Sequence, residues 1–104
     1  MRQSYARAIP SAWRRTAGMF VALGDSHRQR ILLMFEPGER LTVGDIVAAS
    51  TLSRTAVTHH LRVLRGAGLL KSEKIGKEVW LWPDLAAVRQ ALTTVLEYLD
   101  EQMQ

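Results

Sequence analysis

The chain has 104 residues, 47% of them hydrophobic, and a formal net charge of +4, which suits one domain with one modest core. It has no cysteine, which excludes disulfides, thiolate metal ligands and thiol redox sensing together. No apolar run approaches the roughly 18 residues of a membrane span, and Met1-Arg-Gln-Ser-Tyr-Ala-Arg-Ala8 lacks the apolar segment of a secretory signal; the expectation is a cytoplasmic protein with no membrane partner.

Residues 1–10 read as a flexible N-terminal arm and residues 11–104 as a single domain. Pro10-Ser11 opens a first helix whose apolar face is marked by Ala12, Trp13, Thr16, Ala17, Phe20 and Val21. Gly24-Asp25 interrupts it. Asp25 or Ser26 caps a second helix containing Ile31, Leu32, Met34 and Phe35, and Pro37-Gly38 ends it. Glu39-Arg40-Leu41 reads as a short extended piece. Thr42 caps a brief third helix, residues 43–49, with Val43, Ile46 and Val47 inward.

Ser50-Thr51-Leu52 is a tight turn, and Ser53 caps a fourth helix, residues 53–66. Val57, Leu61 and Leu64 form its apolar stripe. At about 100° per residue, Thr55, Thr58, His59 and Arg62 gather on the opposite side, with Arg54 and Arg65 at its edge. That face has three guanidiniums, two hydroxyls, an imidazole and no acid. Short polar side chains approach base edges closely, and Arg pairs bidentately with guanine. A helix built for solubility alone more often mixes Glu with Lys. Two short helices joined by a tight turn, the second with such a face, form a helix-turn-helix, and this face is the expected DNA-recognition surface. Gly66-Ala67-Gly68 stops the helix.

The wing, residues 69–82, follows as two strand candidates, 69–73 and 78–82, around Gly76. Lys71, Lys74 and Lys77 are expected near its tip, on phosphates together with Arg65. Trp80 and Trp82 share one strand face and are expected to pack over the helices. Residues 53–77 carry six basic side chains against Glu73 alone, a net of +5, whereas residues 84–104 carry Asp84, Glu97, Asp100 and Glu101 against Arg89, a net of −3. A basic middle suits a polyanion.

Asp84 caps the last helix, residues 84–102, where Leu85, Val88, Ala91, Leu92, Val95, Leu96 and Leu99 form a stripe over about four turns. A domain this small has little core left for so long a stripe. It is expected to be a homodimer interface, with Trp13 and Phe20 of the first helix beside it. A two-fold dimer would set two recognition helices about 34 Å apart in successive major grooves of a palindrome.

Three segments resemble the arsenic-repressor (ArsR/SmtB) family of winged helix-turn-helix regulators. Leu23-Gly-Asp-Ser-His-Arg-Gln-Arg-Ile-Leu-Leu33 is similar to the family's L-x-D-x-x-R-x-x-I-L. Leu52 to Leu69 resembles its L-S-Q-P-x-V-S-x-H-L-K-V-L-R-x-A-G-L, and Gly76-Lys77-Glu78-Val79-Trp80 its wing turn, G-R-x-V-Y. The resemblance covers about residues 20–85. It implies a mainly α fold with a β-hairpin, ordered α-α-α-α-β-β-α, dimerising through its first and last helices.

The departures bear on function. Metal-sensing members carry C-V-C-D-L where this chain has Thr42-Val43-Gly44-Asp45-Ile46, so both thiolates are absent. The last helix has carboxylates but no His, and adjacent His59 and His60 point about 100° apart and cannot chelate one ion. No metal and no cofactor is expected. His60 matches the family's own His and is expected to hydrogen-bond locally, while His59 faces DNA. The expected function is a homodimeric, sequence-specific, metal-independent DNA-binding repressor on double-stranded DNA, with an unknown effector. The alternative is a winged-helix interaction module or anti-repressor that acts through a partner and responds to an organic ligand. A small-molecule-responsive repressor is a variant of the first reading, with a pocket expected between the first and last helices near Trp13, Phe20 and Tyr98, although these aromatics read first as dimer core. No nucleophile triad, carboxylate pair or phosphate-cradling loop is present, so an enzyme is not expected.

Overall fold

A computed structural model describes residues Met1–Gln104. Its elements are α1 (Ser4–Arg7), α2 (Ser11–Leu23), α3 (Ser26–Leu33), β1 (Leu41–Thr42), α4 (Val43–Ala49), α5 (Arg54–Gly66), β2 (Leu70–Ile75), β3 (Glu78–Pro83) and α6 (Leu85–Gln102). This is the expected mainly helical winged fold with two additions. The arm contains a single helical turn, α1, with no buried residue. The extended piece before α4 is a true strand, so the hairpin becomes a three-stranded antiparallel sheet in the order β1-β3-β2.

Helix starts follow side-chain chemistry. The Asp25 carboxylate accepts from the backbone N–H groups of His27 and Arg28, and the Ser53 hydroxyl accepts from Ala56. Asp84 accepts from Ala87. Thr42 and Asp45 form a reciprocal capping box that opens α4. The end of α5 is a Schellman turn: Leu69 N–H donates to the Leu64 carbonyl and Gly68 N–H to that of Arg65. Gly68 takes φ +80° there, a conformation costly for any residue with a Cβ. Gly76, φ +62°, is the first of two residues linking the paired Ile75 and Glu78, where a type II′ hairpin turn takes glycine.

The core gathers the inner faces of α2, α3, α4, α5 and the sheet. Met19, Ile31, Ile46, Val57, Leu61, Leu64, Leu69 and Leu81 are all buried. In α2 the buried face is Thr16, Met19 and Ala22, whereas Ala17, Phe20 and Val21 are exposed. The expected α2 face is therefore rotated to one flank of the true one. Leu81 points into the core, so Trp80 and Trp82, its alternating neighbours, take the outer face of the sheet rather than covering the helices. Arg40 covers Trp82 instead, its guanidinium 3.9 Å from the ring centroid, and pairs with Glu73 at 3.4 Å.

Only 12 of the 104 residues are buried, and the molecule measures 52 × 26 × 24 Å. Its radius of gyration of 16.2 Å exceeds the roughly 13 Å of a compact chain this long. The excess comes with a long α6 that buries only Ala91. Leu85, Leu92, Leu96 and Leu99 stand exposed along it. No helix is long and apolar enough to cross a membrane.

Candidate nucleic-acid interface

Helix α5 is held from beneath by Val57, Leu61 and Leu64, all buried, and this fixes which side faces out. Arg54, Thr55, Thr58, His59, Arg62 and Arg65 are all exposed. Every residue that the sequence placed on the outer face of the recognition helix is thus on its surface. The wing stands beside them. Arg54, at the start of α5, and Lys77, in the wing turn, line one groove of about 350 Å³ together with Thr42, Val43 and Gly44. Two cations from separate elements converge there with Glu78 as the one acid. Arg54 therefore belongs with the wing more than with the middle of the helix face.

The three wing lysines do not act as a set. Lys77 is in the turn and Lys74 pairs across to Val79, near the tip. Lys71 lies opposite Trp82 near the base, its ammonium 3.9 Å from the Asp84 carboxylate. It is a base residue, not a tip residue.

His60 is half-buried where α5 meets α3, and its partner is not local. Arg28, from α3, donates to His60 Nδ1 at 3.3 Å. The same guanidinium donates to the carbonyl of Ala22 at 2.6 Å and of Val21 at 3.4 Å, at the end of α2. Arg28 therefore ties three helices together and sets the pose of α5. This arginine stands in the L-x-D-x-x-R signature, but sequence alone assigns it no role, because its partners lie 6, 7 and 32 residues away. Gln29 adds a second tie, donating to the Leu23 carbonyl at 2.6 Å.

The surroundings also set charge. Burial pushes the His60 imidazole below its ordinary 6.5, and Arg28, His27 and His59 push the same way against Asp25. A neutral ring keeps Nδ1 free to accept from Arg28. Asp25 is held below its ordinary 3.8, first by the Arg28 backbone N–H it accepts, with the His27 N–H and the Arg28 charge adding to it. His27 lies beside His60, ring centroids 5.6 Å apart, and accepts from Arg30. Even so, no group of three or more His, Cys, Asp or Glu side chains is placed to hold a metal ion.

At the proposed dimer face, Phe20, Leu85, Leu92, Leu96 and Leu99 are exposed, and Val88 and Val95 are half-buried. Trp13 is different: it packs edge-on against Tyr98 of its own chain, ring centroids 5.8 Å apart.

A helix-turn-helix followed by a sheet-borne wing defines a winged helix-turn-helix protein. Residues 25–72 match the model of the bacterial regulatory protein arsR family. The chain is 23% identical over 83 residues to the transcriptional repressor SdpR of Bacillus subtilis, spanning 80% of this chain and 91% of that one. It is 39% identical over 64 residues to a transcriptional repressor SmtB homolog of Synechocystis, spanning 62% of this chain and 48% of that one. An ArsR-like transcriptional regulator from Rhodococcus superposes with TM-score 0.82 at 25% identity, covering 89% of this chain and 87% of that chain. HlyU from Vibrio cholerae has the same fold, with TM-score 0.67 at 23% identity over 85% of this chain and 97% of that chain. The arsR-family match thus spans 48 of the 104 residues, and the fold is shared over most of the chain with an ArsR-like transcriptional regulator.

Proposed function

We propose that the protein is a homodimeric, sequence-specific repressor that reads a palindromic operator through α5. The observation that carries this is the outer face of α5: six exposed polar or cationic side chains and no carboxylate, beside a wing with Lys74 and Lys77 at its tip. Thr55, Thr58, His59 and Arg62 are assigned to base edges. Arg54 and Lys77, converging in one groove, are assigned to a phosphate, with Arg65 and Lys74 on neighbouring phosphates. The names of the repressor relatives support the direction of regulation. A protein acting on bacterial operators works in the cytoplasm.

The dimer is assigned to α6 and the adjoining flank of α2. Four exposed leucines on one helix are costly in water, and the chain offers nothing of its own to cover them. Footprinting the purified protein on DNA upstream of its own gene, at low and high salt, tests the whole reading. Protection of two half-sites about one helical turn apart is expected. Binding that is charge-driven but leaves no defined footprint on any promoter tried would overturn the sequence-specific part.

A further inference from the structure

A cavity of about 510 Å³ lies between the N-terminal arm, the start of α2 and the stretch of α6 from Gln90 to Glu101. None of its lining residues belongs to α5 or the wing. Its size falls in the range of about 300–1,000 Å³ common for small-molecule sites. Three aromatic side chains form its walls: Tyr5 from α1, Trp13 from α2 and Tyr98 from α6. Tyr5 and Tyr98 remain 51% and 44% exposed, so much of their surface is still open to water.

The charges in the lining are unequal. Arg2 forms an ion pair with Glu101 across the cavity, which uses the single cation there. Glu97, one turn earlier on α6, lines the same cavity and has neither an ion pair nor a hydrogen bond. A free carboxylate beside electron-rich ring faces attracts a compact organic cation. An anion meets Glu97 with like charge, and a neutral apolar molecule would desolvate that carboxylate without compensating it.

The site also stays clear of the proposed dimer face. At about 100° per residue, Gln90, Thr94, Glu97 and Glu101 fall roughly 150° round α6 from Leu85, Leu92 and Leu96. Tyr98, which also lines the cavity, still lies about 100° from Leu99, so the cavity and the leucines occupy different sides of the helix.

We propose that this cavity is a binding site for a small aromatic monocation, an amine or quaternary ammonium, held by Glu97 among Tyr5, Trp13 and Tyr98. The arm has no buried residue of its own, so an occupant would supply the packing that α1 lacks and hold the arm against α6. The proposal does not depend on DNA binding.

The test is a titration of the full chain with phenyltrimethylammonium, following the Trp13 indole N–H by NMR, with Trp13→Phe to assign it. Saturable binding is expected with a dissociation constant of about 1 mM or tighter, the scale for a ligand of some ten heavy atoms. Glu97→Gln should weaken it about tenfold and Tyr5→Ala several-fold. Both side chains are exposed, and unchanged thermal midpoints would verify that both variants fold. No saturable shift at ten times that concentration, equal affinity in Glu97→Gln, or equal affinity for benzoate would each overturn the proposal. A chain that bound the cation but no DNA would keep this site and lose the repressor reading.

Discussion

Arg62 and Arg54 carry the same charge on the same helix, and their surroundings separate them. Arg62 stands alone and exposed in the middle of the α5 face, whereas Arg54 shares a groove with Lys77. Arg62→Ala should cost about 1–3 kcal/mol on the preferred site and flatten the preference at one base pair. Competition between single-base variants of the site measures this, and an unchanged preference would remove Arg62 from the base-reading set. Arg54→Ala and Lys77→Ala should instead weaken all sequences alike. Each should lower the slope of log affinity against log salt by about one. If Arg54→Ala shifted base preference, the assignment of Arg54 to a phosphate would fail.

Between elements, the joint of α2, α3 and α5 turns on Arg28 and His60. His60 in the folded protein titrates below its ordinary 6.5. Between the folded and unfolded values the unfolded chain takes up a proton that the native state refuses. The stability from this joint is thus complete above about pH 6.5 and falls as pH drops below it. Asp25 adds a further loss only as pH falls below its ordinary 3.8. The thermal midpoint should fall between about pH 7.5 and pH 5.5. His60→Asn, whose amide oxygen can accept from Arg28, should remove part of that fall. The elements themselves were largely legible in the sequence, because Asp25, Thr42, Ser53 and Asp84 each announce a helix start by local chemistry. Strand β1 was read only as an extended piece, since two residues have no periodicity and its partner Leu81 lies 40 residues on. Alternation placed Trp80 and Trp82 on one face but not on which face; packing by Leu81 decided that. In α2 apolar residues lie on two flanks, so periodicity alone did not choose Met19 and Ala22 over Phe20 and Val21.

For the whole molecule, shape and burial point the same way. A 52 Å long chain with 12 buried residues leaves one side of α6 without cover. Leu96→Glu, 57% exposed in the single chain, should leave the fold of the monomer intact and abolish the dimer. Sedimentation velocity would read the change in mass, and the thermal midpoint of the parent protein should rise with concentration while that of the variant does not. A monomeric parent at micromolar concentration would refute the assignment of α6. The sequence already supplied the leucine stripe and a pocket near Trp13 and Tyr98; it wrongly set Phe20 beside that pocket and did not supply Tyr5 and Glu97, which only the folded arm and the far side of α6 bring to it.

Strand β1 is two residues long, and Thr42 both ends it and caps α4. Through its pairing with β3 it fastens the wing to the helix-turn-helix with no intervening linker. The wing and the helix-turn-helix are thus fastened directly to one another in one reading head. In the dimer proposed above, a signal that loosens the protein from DNA would act between two such heads, by changing the distance or tilt across the two-fold axis. The 18-residue C-terminal helix, the longest element of the chain, would be the lever that transmits it.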